Sequence, residues 1–143
     1  MKKIITVDGP AGSGKGKISK YIANKYKYYH IDSGILYRRL AYKLEKKFIN
    51  SKEINKIKKF INEISLLSFK KHKVLRKENI GKIASEIAKY EFVRAFINSQ
   101  QKLIVKNQKN IDKFVIDGRD IGSVVFKKAF LKLYVDVNVN IRA

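Results

Sequence analysis

The sequence predicts an α/β protein in which helices flank a parallel β-sheet. Short apolar runs typical of buried strands alternate with longer segments whose apolar residues recur at helical spacing. Strands that are separated by helices are joined by crossover connections and therefore run parallel. Of the 143 residues, 45% are hydrophobic and none is cysteine, so the chain can form a sizeable core without disulfides or cysteine-based zinc sites.

The N-terminal third contains the first two predicted strands and helices. Ile4–Asp8 is a continuous apolar run closed by Gly9, which is typical of a buried strand. Lys15–Tyr26 carries its apolar side chains on one helical face. Tyr28–Ile31 is predicted as the second strand. The segment Ile35–Glu45, with leucines four residues apart, is predicted as the second helix.

The middle of the chain is predicted to be mostly helical. Asn50, followed three residues later by Glu53, is typical of a helix start, and isoleucines at helical spacing follow it. Helical spacing returns over Ile80–Ile87 and Val93–Ile104. The lysine-rich segment Ser65–Asn79 between these helices is compatible with either a loop or a small hairpin.

Two further strands are predicted, Phe114–Asp117 and Leu131–Val137. The chain has only six aspartates, and four of them lie at or just beyond the C-terminal ends of three predicted strands. The carboxyl ends of parallel strands form the edge at which open α/β sheets bind ligands. We therefore predict a ligand site that collects these acids, which are Asp8, Asp32, Asp117 and Asp120.

The strongly basic composition does not by itself indicate a nucleic-acid partner. The formal net charge is +21, but the lysines are scattered along the chain rather than clustered in one stripe. We expect a solvated basic surface that attracts phosphorylated small molecules and no specific nucleic acid. The N-terminus lacks the pattern of a signal peptide and no apolar stretch is long enough to span a bilayer, so we expect a cytoplasmic protein without a membrane partner.

One motif points directly to phosphate chemistry. The segment after the first strand fits G-x-x-x-x-G-K in the required strand–loop–helix context, and it comprises Gly9, Pro10, Ala11, Gly12, Ser13, Gly14, Lys15 and Gly16. Its glycines let backbone N–H groups surround an anion, and the following helix adds its positive end. Lys15 is expected to reach the β- and γ-phosphates. Gly16 replaces the Ser or Thr that usually ligates Mg²⁺, and Lys17 follows it.

Four motifs, taken in their order along the chain, indicate a more specific function than the phosphate loop alone. They are DGPAGSGKG at Asp8–Gly16, DSGILYR at Asp32–Arg38, AS and VR at Ala84–Ser85 and Val93–Arg94, and DGRDIGSVVF at Asp117–Phe126. In this order they resemble bacterial cytidylate kinases, P-loop transferases of pyrimidine nucleotide metabolism that phosphorylate CMP and dCMP with ATP. The resemblance implies a nucleoside monophosphate kinase-like fold with ATP and Mg²⁺ as cofactors.

The resemblance also implies a role for each matching residue. Gly9–Lys17 would hold the ATP phosphates, and Lys15, Asp117 and Arg119 would be catalytic. No residue would bind metal directly; Mg²⁺ would be held by the nucleotide phosphates, with Asp117 acting through water. The substrate-binding residues would be Ser33, Tyr37, Arg38, Ser85, Arg94, Arg119 and Asp120, with Arg38 on the CMP phosphate, where a guanidinium binds in bidentate fashion. His30 and His72 are expected to be structural or exposed.

The resemblance implies a single P-loop kinase domain over residues 1–143, with an insert at about 46–90 that binds the monophosphate. We expect the family's lid and last strand to be absent, which would make the fold C-terminally incomplete and the activity of the 143-residue chain uncertain, and we expect the full-length protein to be a monomer. Ser65–Lys77 is shorter than the family insert, and Lys17 stands where the family has Thr.

Two alternatives remain open at this point. One is another P-loop small-molecule kinase, which ADP release with different acceptors would distinguish. The other is a non-catalytic fragment or a basic nucleic-acid binder, whose affinity would fall steeply with salt and would need no monophosphate.

Overall fold

The computed structural model describes residues 2–136, and its centre is a four-stranded, all-parallel sheet. The strand order is β2-β3-β1-β4. The strands are β1 (Lys3–Asp8), β2 (Tyr29–Asp32), β3 (Lys113–Gly118) and β4 (Leu131–Tyr134). In this register Asp8 lies beside Gly118 and Asp32 lies beside Asp117, so the strand-end acids meet at one edge of the sheet as predicted.

Within the described residues five α-helices connect the strands: one joins β1 to β2 and the other four lie between β2 and β3. They are α1 (Lys15–Tyr26), α2 (Ser33–Lys46), α3 (Ile54–Asn62), α4 (Glu78–Ile87) and α5 (Glu91–Asn107). A short 3₁₀ helix covers Lys73–Arg76, and a single π-helical turn covers Ile121–Val125. The helix start predicted at Asn50 is wrong: α3 begins at Ile54 with Glu53 as its N-cap, and the Asn50 N–H donates to Glu53 Oε1 at 2.9 Å in the turn before the helix.

Two further expectations from the sequence are wrong in detail. No strand is formed between Ser65 and Asn79 in the described structure, so the hairpin alternative fails; the segment is irregular apart from the 3₁₀ helix and its last two residues, which begin α4. The last strand ends at Tyr134, three residues before the predicted end. The Val135 N–H still donates to the Asp8 carbonyl at 2.7 Å, while Val137 lies outside the described residues.

The chain divides into two compact units. The first contains residues up to Ser33 together with those from Val105 onward, and the second is Gly34–Ile104. In the first unit α1 packs on the sheet, with a buried cluster formed by Ile5, Val7, Ile22 and Val115. In the second unit the buried faces of the helices form the core, and Leu36, Leu40, Leu44, Ile57, Ile80, Ile87 and Ile97 are almost fully enclosed. The assignment of residues 1–143 to one domain with an insert at 46–90 stays a prediction.

Within residues 2–136, no helix is both long enough and apolar enough to cross a lipid bilayer.

Candidate active site

The loop between β1 and α1 has the backbone of an anion-binding site. Gly12 and Gly14 adopt left-handed conformations, with φ of 76° and 87°, which L-residues with side chains adopt at a cost. Gly14 is the N-cap of α1, and the first turn of that helix contains no acidic residue. The unpaired N–H groups and the positive end of the helix dipole are therefore available to an anion.

Two side chains of this loop, Ser13 and Lys15, are suited to contact such an anion. The Ser13 hydroxyl is buried and has no hydrogen-bond partner among the described residues. Lys15 is half-buried, and its Nζ donates to the Pro10 carbonyl at 3.3 Å, which leaves further donors on the ammonium. Lys17 is exposed. The N-terminal end of α1 therefore combines backbone donors, a buried hydroxyl and two cations.

Gly9 closes the loop against the sheet. A Cβ atom on Gly9 would lie 2.5 Å from the Val135 carbonyl oxygen and 2.9 Å from the Ser13 hydroxyl, so no larger residue fits without displacing backbone. The Gly9 N–H donates to the Gly118 carbonyl at 3.1 Å, which fixes the start of the loop to the end of β3.

Asp117, at the end of β3, is buried beside the start of α1. Its Oδ2 atom lies 3.0 Å from His30 Nε2, and its Oδ1 atom is buried without a partner in the described part of the chain. A Cβ on Gly16 would lie 3.9 Å from Oδ2, so the carboxylate approaches α1 where that helix has no side chain. The Ser33 hydroxyl donates to the Asp117 carbonyl at 2.6 Å. The structure thus brings Gly16, Ser33 and Asp117 together.

Asp8 supports the site rather than facing a ligand. Its carboxylate oxygens accept the N–H groups of Ile121 and Gly122 at 2.7 and 2.8 Å. These bonds hold the π-helical turn that follows β3. Arg119 and Asp120, between the strand and this turn, are exposed.

The other predicted substrate residues belong to the second unit. Arg38 Nη1 donates to the Leu75 carbonyl at 2.8 Å. The Arg38 guanidinium also lies against α4, where a Cβ on Gly81 would come within 3.1–3.4 Å of three of its atoms. This contact explains a glycine inside a helix and could not be inferred from spacing. Tyr37 is half-buried in the same unit.

Ser85 and Arg94 are both exposed, on α4 and α5. Arg94 Nη1 donates to the carbonyls of Ala88 and Lys89, so it caps the end of α4. Among the described residues, neither side chain has a recorded contact with another of the predicted substrate residues.

The two histidines differ from each other. His72 is structural as expected, because its Nδ1 accepts the Val74 N–H at 3.1 Å. His30 contacts Asp117, a contact that the sequence analysis missed. The signal was the position of His30 two residues before Asp32, since alternate residues of a strand share one face.

The Asp117 carboxylate, which lies near the start of α1, has the chemistry of a partner for hydrated Mg²⁺. No group of three or more His, Cys, Asp or Glu side chains within residues 2–136 is arranged to hold an ion. The buried, unpartnered Asp117 Oδ1 is the kind of hard oxygen that binds the hydration shell of Mg²⁺.

Comparison with known proteins decides the family. The family model described as cytidylate kinase matches residues 5–143. This chain belongs to the cytidylate kinase family. It is 36% identical over 140 residues to a cytidylate kinase of Rickettsia bellii (strain OSU 85-389), covering 98% of this chain and 62% of that protein.

Two further relatives have cytidylate kinase in their names. A cytidylate kinase of Pseudothermotoga lettingae is 36% identical over 92% of this chain and 60% of its own length. A bifunctional pantoate ligase/cytidylate kinase of Prochlorococcus marinus (strain AS9601) is 33% identical over 99% of this chain and 30% of that protein. The chain therefore spans less than two thirds of the length of these curated relatives.

Proposed function

We propose that this chain carries the nucleotide-binding and catalytic residues of an enzyme that phosphorylates CMP and dCMP with ATP. The observation that carries the proposal is the glycine loop at the start of α1, where left-handed Gly12 and Gly14 and the unpartnered Ser13 hydroxyl form a site for a polyphosphate. Membership of the cytidylate kinase family supports CMP and dCMP as the acceptors. We further propose a cytoplasmic location and a monomeric full-length protein.

In this proposal the chain acts mainly by positioning and by neutralising charge. A phosphate oxygen of CMP attacks the γ-phosphorus of ATP, the bond between that phosphorus and the β–γ bridging oxygen breaks, and CDP and ADP leave. Backbone N–H groups and Lys15 hold the phosphates of ATP. Bound Mg²⁺ would supply further neutralisation of the phosphate oxygens, and Asp117 Oδ1 is the group that would face its hydration shell.

Arg38 is the proposed ligand of the CMP phosphate. Its guanidinium is already fixed by the Leu75 carbonyl through Nη1, which leaves several N–H donors for a phosphate. Arg119 and Asp120 are exposed after β3 and are proposed to contact substrate, as are Ser33, Tyr37, Ser85 and Arg94.

Titration calorimetry and a coupled ADP-release assay test the proposal. We expect ATP binding that is lost in Lys15→Ala and kept in Lys20→Ala, which removes an exposed lysine of the same helix. We expect ADP release with CMP and dCMP to exceed release with AMP, UMP or shikimate. Unchanged ATP affinity in folded Lys15→Ala, or a preference for another acceptor, would refute the proposal.

A further inference from the structure

The buried contact between His30 and Asp117 suggests a role for a residue outside the motifs discussed above. The side chains are only 11% and 4% exposed, and His30 Nε2 lies 3.0 Å from Asp117 Oδ2. A carboxylate has no proton to donate, so the Nε2 atom carries the hydrogen of this bond. One of the two Asp117 oxygens is therefore occupied by the imidazole.

Strand pairing holds the two side chains in register. His30 pairs with Val115, and Asp117 follows Val115 by two residues, so His30, Val115 and Asp117 share one face of the sheet. Val115 packs against Ile22 of α1, which shows that this is the face covered by the P-loop helix. The contact is thus built into the sheet, next to the start of α1.

The other oxygen of Asp117 needs a partner that the described residues do not provide. A buried acceptor without a hydrogen bond destabilises the fold, and Asp117 Oδ1 is such an acceptor. Because His30 holds Oδ2, the carboxylate cannot rotate freely, and Oδ1 keeps one direction. An oriented, unpartnered oxygen beside a phosphate-binding loop is suited to the hydration shell of a nucleotide-bound cation.

We propose that His30 is a positioning residue that orients Asp117 toward Mg²⁺ on the bound nucleotide. This inference rests on the proposed function, because it requires ATP at the P-loop. His30 contacts neither nucleotide nor metal in this proposal. It acts by donating from Nε2 to Oδ2, so that Oδ1 stays in place for the water shell of the ion.

The test compares the effect of Mg²⁺ on ATP binding in variants that keep or remove the donor. His30→Phe retains a ring but has no donor, whereas the amide nitrogen of His30→Gln can replace Nε2. His72→Ala is the control, since His72 only caps the 3₁₀ helix. Calorimetry gives the ATP affinity with Mg²⁺ and with EDTA, and water-proton relaxation of Mn²⁺–ATP reports the metal directly.

We expect His30→Phe to weaken Mn²⁺ binding in the ATP complex about 10–100-fold, the range observed for residues that orient metal-binding groups. ATP affinity in EDTA should change less than about twofold, and His30→Gln should recover most of the metal affinity. The double variant His30→Phe/Asp117→Asn should lose no more than Asp117→Asn alone, because both changes break one coupled unit.

Several results would overturn the inference. Equal losses of ATP affinity with and without Mg²⁺ would indicate a purely structural His30. Additive losses in the double variant would show that His30 does not act through Asp117. If the ATP affinity of the wild type were the same with and without Mg²⁺, the role of His30 would be refuted, but the phosphate site would stand. Absence of wild-type ATP binding would instead refute the proposed function.

Discussion

Removing the charge on Asp8 should lower the free energy of unfolding markedly, although Asp8 is expected to touch no substrate. The residue is 7% exposed, and its carboxylate accepts two backbone N–H groups, from Ile121 at 2.7 Å and Gly122 at 2.8 Å. In Asp8→Asn one oxygen remains and can still accept one backbone N–H. The other oxygen is replaced by an NH₂ group, which is itself a donor and therefore cannot accept the second N–H. One charge-assisted bond, worth about 1.5–3 kcal/mol, is lost, and the remaining bond becomes a weaker neutral one.

We therefore expect Asp8→Asn to lower the free energy of unfolding by about 2–4 kcal/mol. For a chain of 143 residues each kcal/mol corresponds to about 3 °C in Tm, so Tm should fall by roughly 6–12 °C. Circular dichroism during heating measures this change. Asp112→Asn, at an exposed aspartate just before β3, is the control and should shift Tm by less than about 2 °C. Equal Tm values for the two variants would show that the turn after β3 does not depend on Asp8.

Three other substitutions separate stability from binding. Gly81→Ala should raise the free energy of unfolding by up to about 1 kcal/mol through helix propensity, yet weaken CMP binding, because the alanine Cβ must displace the Arg38 guanidinium by a few tenths of an ångström. Calorimetry should show unchanged ATP affinity, and tighter CMP binding would refute the role of Gly81 in placing Arg38. Lys17→Thr should weaken ATP binding up to about fivefold at low salt and flatten its salt dependence, as expected for an exposed ion pair; tighter binding with the same salt slope would contradict this. Gln100→Leu should cost about 1–3 kcal/mol in urea unfolding, because the buried Leu67 N–H loses its acceptor at 2.7 Å; an unchanged midpoint would contradict that account.

The sequence predicted most of the elements because their signals are local. Helix α1 begins and ends at the predicted residues, Lys15 and Tyr26, since a glycine N-cap and one apolar face define it. Strand β3 was predicted from Phe114–Asp117, whose apolar side chains are all buried. The phosphate loop was equally visible, because its glycine positions are conformational requirements.

The features that the sequence did not predict depend on contacts between residues far apart in the chain. The pairing of His30 with Asp117 spans 87 residues, and that of Asp8 with Ile121 spans 113. The acids at the strand ends were expected to face a ligand together, but nothing local distinguished Asp8, which binds backbone, from Asp117. The hairpin alternative failed, and at the start of that segment Ser65 and Leu67 are hydrogen-bonded to Gln100, which lies 35 and 33 residues further along the chain.

The order of strands in the sheet has a consequence for biosynthesis. Within the described residues β1 pairs only with β3 and β4, and Lys3 lies beside Lys113, which is synthesised 110 residues later. At about 5–20 residues per second, the apolar strand β1 waits roughly 5–20 s on the ribosome for its first partner. The helices of Gly34–Ile104 can meanwhile form contacts of shorter sequence separation. Because Gly9 is fixed by the Gly118 carbonyl, a nascent chain acquires its phosphate loop only after β3 has emerged.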